Sequence, residues 1–86
     1  MDELERQIAE AIVDALGLPD VRVDDLRAET QLYGEGLGLD SIDILEVALV
    51  VSKRYGFELR SDDPDNEKIF QTLGSLAEHV RRHRTR

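Results

Sequence analysis

The side chain best placed for chemistry in this sequence is the hydroxyl of Ser41, within Gly36-Leu37-Gly38-Leu39-Asp40-Ser41-Ile42-Asp43. A glycine-bearing loop ends there, and a dense apolar run from Ile44 to Tyr55 begins. Asp40 has the residue type of a helix N-cap, and Asp43, three residues on, can reach back as the second half of a capping box. Ser41 then falls on the first helical position and points out from the helix end. A hydroxyl held in this way is a site for covalent modification, and the rest of the chain is its mount.

Other candidate chemistries run out of partners. His79 and His83 are four residues apart, but Arg82 and Arg84 crowd them and no third ligand is evident, so a solvated helix end is the better reading. Both lie on the terminal segment, and no Ser-His-Asp set emerges. No catalytic residue and no metal ligand is therefore assigned. Asp62, Asp63, Asp65 and Glu67 resemble a calcium loop only by composition. An EF-hand needs glycine at its sixth position and glutamate at its twelfth. Counted from Asp62 these are Glu67 and Leu73, and counted from Asp63 they are Lys68 and Gly74. Gly34, Gly36 and Gly38 fit neither the dinucleotide nor the P-loop pattern, and no strand precedes them.

The 86 residues suffice for one domain with a modest core. Tryptophan is absent and aromatic residues are few, so the core must be aliphatic. Cysteine is absent too, which removes disulfides, thiolate metal sites and thiol nucleophiles. The longest apolar run, Val47 to Val51, is too short to cross a bilayer, so no stable membrane insertion is expected. Met1-Asp2-Glu3-Leu4-Glu5 lacks the basic and apolar regions of a signal peptide, and a cytoplasmic location is expected. The formal net charge is −8. All 19 acidic residues precede Arg81, whereas residues 81–86 hold four arginines and no acid. No basic residue occurs between Ala28 and Ser52. Such a body repels nucleic acid and attracts cationic protein surfaces.

The elements that position Ser41 follow from period and punctuation. Asp2 and Glu5 form a capping box ahead of Leu4, Ile8, Ile12 and Leu16, and Gly17 and Pro19 stop that helix. Residues 17–40 have no sustained period. One helical turn is expected at Asp24–Arg27, with Leu26, Leu32, Tyr33, Leu37 and Leu39 pinning a long loop to the core. The second helix runs from Ser41 to about Tyr55, where Gly56 ends it. Its core stripe is Ile44, Val47, Ala48, Val51 and Tyr55. A second apolar stripe, Ile42, Leu45 and Leu49, is rimmed by Asp43 and Glu46 and reads as a surface that partners cover. Phe57 and Leu59 are expected to pack back onto this helix, with a polar turn over Arg60 to Asn66. A short helix is expected over Glu67 to Gln71 with Ile69 and Phe70 inward. Thr72 caps a last helix whose apolar face is Leu73, Leu76, Ala77 and Val80. The predicted fold is all-α: a small four-helix bundle of three main helices and one short one, with a long first loop. Residues 1–80 form the domain, and residues 81–86 are the basic end of the last helix or a tail.

Leu37-Gly38-Leu39-Asp40-Ser41-Ile42 resembles the Leu-Gly-x-Asp-Ser-Leu signature of acyl carrier proteins. The likeness continues through Asp43, Glu46 and Tyr55-Gly56-Phe57-Glu58-Leu59, and into Asp65-Asn66-Glu67-Lys68-Ile69-Phe70-Gln71-Thr72-Leu73. It covers nearly the whole chain. The resemblance implies that a separate phosphopantetheinyl transferase joins Ser41 to phosphopantetheine through a phosphodiester, and that acyl cargo rides as a thioester on the terminal thiol. A chain without cysteine offers no competing thiol. The resemblance also implies that Asp40, Asp43 and Glu46 meet basic patches on the transferase and on acyl-transferring and synthase enzymes. Ile42, Leu45 and Leu49 would be the apolar contacts. The carrier itself is expected to be a non-catalytic monomer.

Ile42 stands where leucine is commoner, and Ser52, Lys53 and Arg54 replace a continued acidic run. The docking face thus turns basic at its far end, which favours a free-standing carrier of a dedicated lipid, polyketide or related pathway over one serving a general fatty-acid synthase. Two alternatives remain open: a carrier of aminoacyl or aryl groups, and an unmodified acidic adaptor. The first usually shows a Gly-Gly-x-Ser-type motif, and Asp40 before Ser41 argues against it.

Overall fold

A computed structural model describes residues 2–18, 20–33, 36–58 and 64–85. Four helices follow one another: α1 (Glu3–Leu16), α2 (Ser41–Tyr55), α3 (Asn66–Ile69) and α4 (Leu73–His83). No strand occurs among the described residues; the one β-type contact is an isolated antiparallel bridge between Gln31 and Thr72. The expected all-α bundle is the fold found.

Capping chemistry sets the three main helices. At α1 the Asp2 carboxylate accepts the Glu5 N–H at 2.9 Å, and Glu5 accepts the Asp2 N–H at 3.0 Å. Gly17 closes α1 in the left-handed conformation that glycine adopts without steric cost, and Gly56 closes α2 in the same way. At α4 the box is neutral: Thr72 Oγ1 accepts the Ser75 N–H, and Ser75 Oγ accepts the Thr72 N–H, each at 3.0 Å.

The helices meet along the predicted stripes. Ile8 and Ile12 of α1, Val47 and Val51 of α2, and Leu73, Leu76 and Val80 of α4 are fully buried, with Phe70 among them. Ala48 is only partly buried, because it sits at the edge of the core stripe. Leu26, Leu32 and Leu39 are buried loop anchors, and Tyr33 and Leu37 are partly buried against the same core. Phe57 packs there too, while Leu59 and residues 60–63 of the expected polar turn lie outside the described residues.

Two elements differ from expectation by a residue or more. The turn in the long loop is a 3₁₀ turn over Val23–Asp25, earlier than expected, because Val23 is drawn to the core and Leu26 already leaves in extended backbone. The short helix ends at Ile69: Phe70 and Gln71 turn instead, and this lets Gln71 reach the loop.

That contact is part of a seam that fixes the loop. The Leu32 N–H donates to Gln71 O at 3.1 Å, the Leu73 N–H to Thr30 O at 3.0 Å, and the Gly74 N–H to Ala28 O at 2.7 Å. The loop carbonyls thereby satisfy N–H groups that the first turn of α4 leaves unpaired. A Cβ at Gly74 would press on Ala28, and one at Gly36 would overlap the Gln31 carbonyl.

The basic end is folded in. Arg81 bonds to Asp2 at 2.6 Å and to Glu78 at 3.0 Å, tying the end of α4 to the start of α1. The backbone N–H of Glu5 and then the Arg81 charge hold the Asp2 carboxyl below the usual aspartate range.

Replacing Leu32 by alanine should cost about 2–5 kcal/mol in urea unfolding, as for a fully enclosed leucine, and clearly more than Leu37→Ala. Because the folded state lowers the Asp2 pKa, this contribution is complete above the ordinary aspartate range and is lost as pH falls through the lowered value. Thermal melts should therefore show a smaller acid-induced loss of stability in Asp2→Asn than in wild type.

Candidate functional site

The path into α2 is set one residue at a time. Gly38 takes a left-handed turn at φ 67°. Leu39 is buried, and its N–H donates to Leu32 O at 2.9 Å, so the loop is fixed immediately before the helix. Asp40 is extended; its Oδ1 accepts the Asp43 N–H at 2.9 Å, and Asp43 Oδ2 accepts the Asp40 N–H at 3.3 Å. The predicted capping box is present with both bonds. Ser41 is the first residue of α2 and is exposed.

No described residue hydrogen-bonds to the Ser41 hydroxyl. The two histidines are engaged elsewhere: their rings stack at 4.2 Å, His83 Nδ1 lies 2.9 Å from His79 O, and Phe57 meets His79 edge-on. No described residue is placed to take the serine proton. Among the described residues no group of three His, Cys, Asp or Glu side chains could hold a metal ion. Nor is any helix long and apolar enough to cross a membrane.

Beyond Ser41 the outer face of α2 carries its second stripe in the open. Ile42 is 78% exposed, and Leu45 and Leu49 are each 50% exposed. Asp40 and Glu46 are exposed and Asp43 is partly buried. No described residue forms an ion pair with any of these acids. Large apolar side chains rimmed by unneutralised carboxylates form a surface suited to a cationic partner with an apolar centre. The structure thus gathers Asp40, Ser41, Ile42, Asp43, Leu45, Glu46 and Leu49 on one helix, running away from the serine.

Sequence reasoning missed how the far end of this helix is closed. The Thr85 N–H donates to Tyr55 O at 2.9 Å, and Thr85 Oγ1 donates to Gly56 O. Arg84 lies over the Tyr55 ring, 5.0 Å from its centroid, and the Tyr55 hydroxyl reaches Gln7 at 3.2 Å. The only sequence signal was a tyrosine in the last turn of a buried helix, whose hydroxyl must find a partner.

A helical bundle that holds one exposed serine at the head of an acid-rimmed helix is built as a carrier domain. The family described as "Phosphopantetheine attachment site" matches residues 6–80. An acyl carrier protein of Nitratidesulfovibrio vulgaris (strain Miyazaki F) is 31% identical over 74 residues, covering 86% of this chain and 90% of the relative. One from Chlamydia trachomatis serovar L2 is 29% identical over 80 residues, covering 93% and 95%. The chain belongs to the acyl carrier protein family, whose members hold phosphopantetheine covalently.

The serine lies on a helix whose start depends on one carboxylate, which gives a direct test. Asp40→Ala should lose about 1 kcal/mol in urea unfolding, whereas Asp40→Asn, still able to cap, should lose much less.

Proposed function

We propose that this protein is a discrete, non-catalytic acyl carrier in which Ser41 bears the phosphopantetheine arm. The observation that carries this reading is the exposed Ser41 hydroxyl, without a hydrogen-bond partner among the described residues, at the first position of a rigidly capped helix. The residues fit the group. A phosphodiester at that position faces the N–H groups and positive dipole end of α2, which favour an anion, although Asp40 and Asp43 partly oppose it. The arm supplies the thiol on which an acyl group is carried as a thioester, in a chain that has no cysteine of its own.

The chain's own residues then present and orient. Leu39 and the Asp40–Asp43 cap hold the serine oxygen in one place for the transferase. Asp40, Asp43 and Glu46 attract basic patches on the transferase and on acyl-transferring and synthase enzymes. Ile42, Leu45 and Leu49 give those enzymes apolar contact area. Residues 1–80 constitute the carrier domain and act as a monomer in the cytoplasm. The basic turn at Lys53 and Arg54 supports service to a dedicated lipid, polyketide or related pathway.

Incubated with a phosphopantetheinyl transferase and coenzyme A, the wild-type chain should gain the mass of one phosphopantetheine, and Ser41→Ala should gain none. An unmodified adaptor would show no gain in either protein while keeping its partner. Intact-mass spectrometry separates the two readings.

A further inference from the structure

Ser41 is held from two directions, and the cap is only one of them. The Asp40–Asp43 box fixes the first turn of α2 to itself. The chain entering that turn is fixed by a relay of backbone bonds that starts at α4. On one side of the loop, the Leu73 and Gly74 N–H groups donate to Thr30 O and Ala28 O, and the Leu32 N–H donates to Gln71 O. On its other side, the Leu37 N–H donates to Gln31 O and the Leu39 N–H to Leu32 O, each at 2.9 Å. Residues 71–74, 28–32 and 37–39 thus lie side by side, and the last of these segments runs directly into Asp40 and Ser41.

The middle segment is stiff. The Thr30 N–H donates to Arg27 O at 3.0 Å and Thr30 Oγ1 accepts the Arg27 N–H at 2.8 Å, closing a turn around Ala28. Leu32, farther along, is fully buried and uses both backbone groups, its N–H toward Gln71 and its carbonyl toward Leu39. A shift at Ala28 therefore reaches Leu39 through bonded backbone rather than a slack tether. Gly74 sets the contact where the relay begins. A Cβ there would lie 2.8 Å from Ala28 O and 3.2 Å from Ala28 Cβ. Gly74 is not left-handed, so close approach, not backbone conformation, calls for glycine.

We propose that Leu32 and Gly74 are positioning residues for the modification of Ser41, acting through the backbone relay that joins the start of α4 to Leu39. This rests on the carrier reading above and adds what holds the serine oxygen for attack. In that step Ser41 Oγ bonds to the phosphorus that bears pantetheine in coenzyme A. The bond from that phosphorus to the nucleotide breaks, the bisphosphorylated adenosine leaves, and the serine proton passes to a base of the transferase. Leu32 is enclosed and Gly74 belongs to α4, so both lie outside the exposed face of Ile42, Leu45 and Leu49. When the relay loosens, a transferase docked on that face finds it unchanged but meets a serine oxygen whose place varies. Small misplacements of reacting atoms lower the rate by large factors, so the loss falls on kcat.

The test compares wild type, Gly74→Ala and Tyr55→Phe, the last losing only the bond to Gln7 at the far end of α2. Each chain, without its arm, is measured by amide hydrogen exchange and as substrate of a phosphopantetheinyl transferase with coenzyme A. In Gly74→Ala the Leu39 and Asp43 amides should exchange about tenfold faster relative to Ile12, with kcat down about fivefold and KM within about twofold of wild type. Alanine is the better helix former, so propensity alone would leave those amides unchanged or slower. Tyr55→Phe should alter Leu39, Asp43 and Ile12 in step and keep kcat. An ester in place of the amide between Gln31 and Leu32 deletes the Leu32 N–H and keeps every side chain. It should reproduce the Gly74→Ala pattern, and it decides the matter if Gly74→Ala does not fold. Wild-type exchange at Leu39 and Asp43, an unchanged kcat, or an equal kcat loss in Tyr55→Phe overturns the relay while the carrier reading stands. Should the wild-type chain itself take up no arm, the carrier reading fails and the positioning role falls with it.

Discussion

A hydroxyl at a helix start is a poor handle if the first turn frays, and fraying is what an uncapped helix does in water. The reciprocal bonding of Asp40 and Asp43 is the constraint on which the rest depends. It satisfies backbone N–H groups at the point where the chain must be both exposed and still. Buried Leu39 supports it from below, one residue ahead, and the Val47–Val51 face of α2 locks the helix into the core. The serine is presented by elements that are themselves held.

The same carboxylates have two uses that pull in one direction. Placed at the head of α2 they complement the helix dipole, and with no ion pair to any described residue they leave the outer surface negative. A phosphodiester beside them is less favoured than it would be with neutral caps. By contrast, α4 is capped by Thr72 and Ser75, neutral groups partly buried against the loop seam. The hydrogen bonds of the charged caps of α1 and α2 lie in exposed surroundings and those of the neutral cap of α4 in partly buried ones, which follows the cost of burying charge.

Much of this was legible in the chain because helices announce themselves locally. Asp2, Asp40 and Thr72 mark starts, Gly17 and Gly56 mark ends, and the stripes between them repeat at helical spacing. The exposed triad Ile42, Leu45 and Leu49 was readable because it is apolar yet shares its sector with Glu46 and Lys53. The early end of α3 was not, since Ile69 and Phe70 are both buried and both suit a helix. What decided it was Gln71 O accepting from Leu32, a backbone bond between segments about 40 residues apart that leaves almost no trace in residue type. Gly74, where a Cβ would press on Ala28, was the one trace. The fold-back of Arg84 and Thr85 was hidden for the same reason: a run of arginines reads as a solvated tail until its backbone is seen to close another helix.

The central proposal is positional: of the four serines it is Ser41 that carries the arm, because among the described residues it alone stands exposed at the head of a capped helix. Fragmentation of the loaded protein by tandem mass spectrometry measures this directly. The account predicts that every phosphopantetheine-bearing fragment contains Ser41 and that Ser52, Ser61 and Ser75 remain bare. A loaded protein whose arm maps to any other residue would contradict it.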